Sequence, residues 1–110
     1  MKTVTRRTMA DNAQRLALQS KLSQHAGRPV AEVRLTPYGH GRRTWYCVMA
    51  LDADRREVPL PKGAARIISC DLRAAFPAAR WSRAQDYDAT TGVLAEHVPN
   101  LPASLRDGAL

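Results

Sequence analysis

The spacing of apolar residues changes several times along the chain, and each change marks an element. Asn12 to Ala26 reads as a helix in which Leu18, Leu22 and Ala26 share one stripe at 100° per residue. Asp11 stands where an N-cap belongs, with Thr8 three residues before it, and Gly27 and Pro29 close the run. Leu16 points away from the stripe, so it lies at the edge of the core or serves as an anchor for a partner. From Val30 the period becomes two. Ala31, Val33 and Leu35 alternate with Val30, Glu32, Arg34 and Thr36, the pattern of a strand with one wet face. Pro37 and the turn Tyr38-Gly39-His40-Gly41 end it, and a second strand follows over Thr44 to Leu51. That strand puts Trp45, Cys47, Met49 and Leu51 on one face and Tyr46, Val48 and Ala50 on the other, which predicts a central position.

Asp52-Ala53-Asp54 signals a turn before a third strand, Arg55 to Leu60. Pro59 confines it to an edge, because proline has no N–H to give to a ladder. A second helix spans about Lys62 to Ala75, opened by Pro61 and stopped by Pro77. Its apolar side is Ala64, Ile67, Ile68, Leu72 and Ala75, and Lys62, Arg66, Ser69 and Arg73 form the opposite stripe. Asp71 falls close to the apolar side and requires an arginine partner or a place at the rim of the core. A second hairpin, Arg80 to Tyr87 and Val93 to Val98, turns through Asp88 to Gly92.

The order α-β-β-β-α-β-β predicts one small α+β domain over residues 8–98, an antiparallel sheet of about five strands with two helices on one face. A flexible basic arm at 1–7 precedes it and a tail at 99–110 follows. Helix-strand-strand-strand-helix is also the order of double-stranded RNA-binding domains. The second helix here opens as Pro61-Lys62-Gly63-Ala64-Ala65-Arg66 and not with a lysine cluster, so no family is assigned.

Composition adds one decisive asymmetry. Residues 1–43 hold nine basic groups against two acids, while residues 44–110 balance, so the whole net charge of +7 lies in the first part of the 110-residue chain. Such an excess attracts polyanions. Only three of the 17 basic residues are lysine, and alanine is abundant, a bias of chains encoded by GC-rich bacterial genomes. No apolar run approaches the roughly 18–20 residues of a membrane span, and no secretory h-region follows the charged start, which predicts a cytoplasmic protein without a membrane partner. Cys47 and Cys70 are too few for a disulfide scaffold and stand in no Cys-x-x-Cys pair, so both read as buried thiols.

The candidate chemistry is cationic. Arg42 and Arg43 follow a glycine-rich turn, a combination able to approach phosphate closely and hold it bidentately. Lys62, Arg66 and Arg73 share a helix stripe that could follow a nucleic-acid backbone, and Arg6 and Arg7 of the arm could reach further phosphates. Trp81, Arg83 and Tyr87 could stack bases, although such a row more often belongs to the core. Asp86, Asp88, Glu96, His97 and His40 could converge, but their spacing matches no metal or catalytic motif. The expectation is a non-enzymatic nucleic-acid-binding protein, a bacterial regulator or accessory factor with no metal and no cofactor. The alternative is a protein-interaction module or inhibitor whose basic surface docks an acidic partner, anchored by exposed apolar residues such as Leu16 and Tyr38. A homodimer would form through the free edge of the last hairpin, since Pro59 disfavours the other one.

Overall fold

The computed structural model describes residues 7–39 and 43–98. The elements run β1 (Arg7–Met9), α1 (Asn12–Ala26), β2 (Glu32–Tyr38), β3 (Trp45–Leu51), β4 (Glu57–Val58), α2 (Ala64–Ala75), β5 (Gln85–Asp88) and β6 (Val93–Glu96). All six strands join one antiparallel sheet in the order β1-β6-β5-β2-β3-β4, and both helices lie against one face of it. The α+β class and the two helices are as the sequence indicates; the sheet has six strands where about five are expected.

Local chemistry explains α1. The Asp11 carboxylate accepts the Gln14 amide at 2.8 Å, satisfying an N–H that has no partner inside the helix. Gly27 closes the helix at φ 78°, where a Cβ would be strained, and its N–H reaches the Ser23 carbonyl. Leu18, Leu22 and Ala26 are buried and Leu16 is exposed, which leaves a narrow apolar seam on α1. In α2 the buried residues are Ala64, Ile68, Ser69 and Leu72. Ile67 is 46% exposed and Ser69 only 4%, reversing the faces expected for these two residues. Lys62 and Gly63 form the turn before the helix, with Gly63 as its cap. The two helices are tied by Gln14 Nε2, which donates to the Ala75 carbonyl at 3.1 Å, and by His25 Nε2 at 3.1 Å from the Asp71 carboxylate. Asp71 therefore meets a histidine and not an arginine, and with its side chain 25% exposed it lies at the rim of the core, the other place its position allowed.

Alternation assigns the two sheet faces. Val33, Leu35, Ala50, Val58, Tyr87 and Leu94 point at the helices and are buried. In the paired registers Arg34 faces Met49 and Asp86, Thr36 faces Cys47, and Tyr38 faces Trp45, all on the side that no described helix covers. That placement makes Cys47 exposed, and Cys70 is exposed on α2, so the expectation of two buried thiols is corrected. Apolar side chains on both faces of β3 do not make it central throughout, because β4 pairs only with Ala50 and Leu51.

Three further departures have physical causes. The extra strand, β1, is three residues long and too short to show a period, and Arg7 belongs to it; residues 1–6 lie outside the described part. β1 forms because β6 offers a ladder, pairing Thr8 with Leu94. Consequently the outer edge of the last hairpin is covered, and the free edge expected there is absent. The stretch before β5 is held in turns by Trp81 Nε1 donating to the Phe76 carbonyl at 2.9 Å and Gln85 Nε2 to the Arg80 carbonyl at 2.7 Å, so the alternation over 80–84 is not a strand.

Tyr87 supplies a test of core energetics. It is fully buried beside Phe76, and burial pushes its phenol above the ordinary value of 10.0. Its hydroxyl has no hydrogen-bond partner among the described residues. An unsatisfied buried polar group costs about 1–3 kcal/mol, so Tyr87→Phe is expected to keep or raise the unfolding free energy. A urea titration showing a loss above about 1 kcal/mol would reveal a partner for that hydroxyl.

Candidate functional site

Three arginines lie within ion-pair distance of carboxylates among the described residues. Arg34 Nε donates to Asp86 at 2.7 Å, Arg55 reaches Glu32 at 3.1 Å, and Arg80 lies 4.0 Å from Glu96. Arg43, Lys62, Arg66 and Arg73, like Arg15, Lys21, Arg28, Arg56 and Arg83, have no carboxylate within ion-pair distance among the described residues. Arg66 and Arg73 line one feature, a groove of about 520 Å³ between the start of β3 and α2. Thr44, Trp45 and Tyr46 form one wall, and Ala65, Arg66, Ser69, Cys70 and Arg73 form the other.

The walls are built by ordinary packing. The Arg73 guanidinium lies 4.6 Å from the centre of the Tyr46 ring, and its Nε donates to Ser69 Oγ at 3.2 Å. Tyr46 is held in turn by its hydroxyl, which donates to the Trp81 carbonyl at 3.3 Å, and by edge-on contact with the Trp81 ring. Arg73 is thus a positioned cation, and Arg66, about two turns earlier on the helix, is an exposed one. Arg43 sits over the Trp45 indole at 5.7 Å from its centre, extending the positive rim to the open face of the sheet. Among the described residues no carboxylate lines the groove.

The residues expected to contact phosphate are therefore only partly gathered. Arg66 and Arg73 meet in the groove, Arg43 lies apart from them over Trp45, and Lys62 lies in the turn that leads into α2. Arg6 and Arg42 fall outside the described residues, as does His40. Arg7 opens β1, four strands from β3, or roughly 19 Å at the usual spacing of about 4.8 Å per strand. Trp81 and Tyr87 do not form a stacking row: Tyr87 is core, Trp81 is half-buried behind Tyr46, and Arg83 stands exposed in a turn.

The acidic group also divides. His97 Nδ1 lies 2.8 Å from Asp86, whose other oxygen accepts from Arg34. Asp88 instead caps its own turn, accepting the amides of Thr90 and Thr91. Glu96 points to the helix side of the sheet, where its register partner is the buried Gln85. Among the described residues no three His, Cys, Asp or Glu side chains gather as metal ligands, and no helix is long and apolar enough to cross a membrane.

Comparison with known proteins adds no assignment: no protein family, curated protein or solved structure matches the chain. The site is read from its own geometry. What sequence reasoning passed over is the cross-strand pair Tyr38 and Trp45. Each residue was visible on its own, Tyr38 as an exposed anchor and Trp45 on one face of its strand. Their direct opposition in the β2–β3 register is what joins them.

Proposed function

We propose that the protein binds nucleic acid without catalysing a reaction, contacting phosphates through Arg43, Arg66 and Arg73, with Lys62 at the margin. One observation carries this reading: a groove that, among the described residues, is lined by two arginines and no carboxylate, with Arg43 over the neighbouring Trp45 ring, in a chain of net charge +7. Guanidinium groups suit phosphate because their planar fork presents paired donors. A bacterial regulator or accessory factor acting inside the cell fits such a binder.

The test is a titration of DNA and RNA oligonucleotides at several salt concentrations with the wild type and Arg66→Ala/Arg73→Ala. Each phosphate contact removed is expected to flatten the dependence of log affinity on log salt by about 0.7–0.9. Affinity should fall alike for unrelated sequences, because phosphate contacts carry no base information. Arg73 also packs on Tyr46, so the unfolding midpoint of the variant is measured alongside. An unchanged salt slope in a folded double variant would remove the groove from the interface.

A second reading, docking of an acidic protein segment, is favoured by the free edge of β3. β4 pairs only with Ala50 and Leu51, so the outward backbone edge of Trp45–Met49 has no strand neighbour among the described residues. An extended acidic peptide could add there as a strand beside Arg66 and Arg73. Binding of a glutamate-rich peptide but of no oligonucleotide would select this reading.

A further inference from the structure

We propose that the nucleic acid is single-stranded, with unpaired bases stacking on Tyr38 and Trp45 while the adjoining phosphates follow Arg43, Arg66 and Arg73. This rests on the nucleic-acid reading above and names the form of ligand that the site takes.

The argument begins with where the aromatic residues go. The chain has six, and four of them serve the interior: Phe76 and Tyr87 are buried, and Tyr46 and Trp81 pack against the core. The other two, Tyr38 and Trp45, are 58% and 51% exposed. They stand directly opposite each other at the end of the β2–β3 ladder, on the face of the sheet that no described helix covers. Large aromatic side chains are normally placed where their area is removed from water, so two adjacent exposed ones form a platform available to a flat apolar ligand.

Charge identifies that ligand. The Arg43 guanidinium already lies over the Trp45 ring, and Trp45 is at the same time a wall of the groove that holds Arg66 and Arg73. One residue therefore joins the aromatic surface to the basic one. A ligand with flat rings on a repeating anionic backbone matches both, which is the chemistry of an unpaired nucleic-acid strand. In a duplex the base faces are stacked on one another and closed to a side chain, so duplex could use the arginines but not the rings. Tyr38 and Trp45 stand side by side across the ladder, so bases resting on both rings lie side by side and not on one another, which an unpaired strand allows. Beside the pair, a shallow depression of about 250 Å³ is lined by Tyr38, Arg43, Thr44 and Ser82, and Thr44 and Ser82 bring hydroxyls suited to a base edge.

The experiment titrates the full chain with single-stranded and duplex oligonucleotides of one sequence, as DNA and as RNA, following quenching of tryptophan fluorescence and, independently, anisotropy of the labelled oligonucleotide. The single strand is expected to bind more tightly than the duplex. Tyr38→Ala should weaken single-strand binding roughly 5- to 150-fold, the range for losing one stacked base, while leaving duplex binding and the salt slope unchanged. Trp45→Ala, which also removes part of the groove wall, should weaken single-strand binding by more than it weakens duplex binding. Trp45→Phe, which retains a ring, should keep most of the affinity and guards against a variant that fails to fold. A role confined to bracing the hairpin would lower the unfolding midpoint without separating the two strand forms. Duplex binding equal to or tighter than single-strand binding, or an equal loss for both in Trp45→Ala, would overturn this proposal and leave the phosphate reading standing. Absence of binding to every oligonucleotide would overturn both.

Discussion

Leu22→Ala is expected to lower the unfolding free energy by about 2–5 kcal/mol, the range for removing a large aliphatic side chain from a packed interior. Leu22 is 0% exposed and sits at the centre of the seam by which α1 holds the sheet, between Leu18 and Ala26. That seam is narrow, so neighbouring side chains on α1 cannot close the cavity. Domains are stable by only about 5–15 kcal/mol, so the variant should unfold at a markedly lower urea concentration with little change in slope. Leu16→Ala on the same helix is the control: its side chain is exposed, and its effect should stay within about 0.5 kcal/mol. Equal losses at the two positions would mean that α1 packs through a different face.

The second large effect concerns the open face of the sheet. Asp86 on β5 accepts from Arg34 Nε of β2 at 2.7 Å and has His97, just beyond β6, at 2.8 Å, so one carboxylate joins three neighbouring segments. The three side chains are 20–27% exposed, shielded enough for a charged hydrogen bond to matter. Asp86→Ala is expected to cost about 2–3 kcal/mol, because it leaves the Arg34 cation half-buried without its acceptor. Asp86→Asn keeps an acceptor for Arg34 and should recover part of the loss. A double-mutant cycle with Arg34→Ala isolates the pair, and a coupling below about 0.5 kcal/mol would place this contact with ordinary surface ion pairs.

These two sites differ in how far the sequence foretells them. Leu22 is legible because Asp11, the 3.6-residue stripe and Gly27 all act within one helix. The Asp86 cluster is not, since Asp86 and His97 read as members of a loose acidic group and Arg34 as one of many arginines. Their meeting depends on β5 lying beside β2 and not beside β4, which nothing local to either strand dictates. The same holds for the groove. Arg66 and Arg73 were visible as a stripe on a helix, but the wall they face, Thr44 to Tyr46, is supplied by a strand about twenty residues earlier. Ser69 shows the limit within a helix: the hydroxyl looked like part of the polar stripe, yet α2 is rotated so that Ser69 is buried and Ile67 is not.

What the sequence by itself determined is everything governed by neighbours a few residues apart. That includes the span and caps of α1, the end of α2 before Pro77, and which side chains of β2 and β3 share a face. Caps, proline geometry and two-residue alternation act over such distances. The tertiary structure alone decided the sixth strand, the opposition of Tyr38 and Trp45, the exposure of both cysteines and the groove that sets Arg66 and Arg73 against the start of β3. Each of these depends on which strand lies beside which and how each helix is turned on the sheet, and those choices are settled by burial summed over the whole chain.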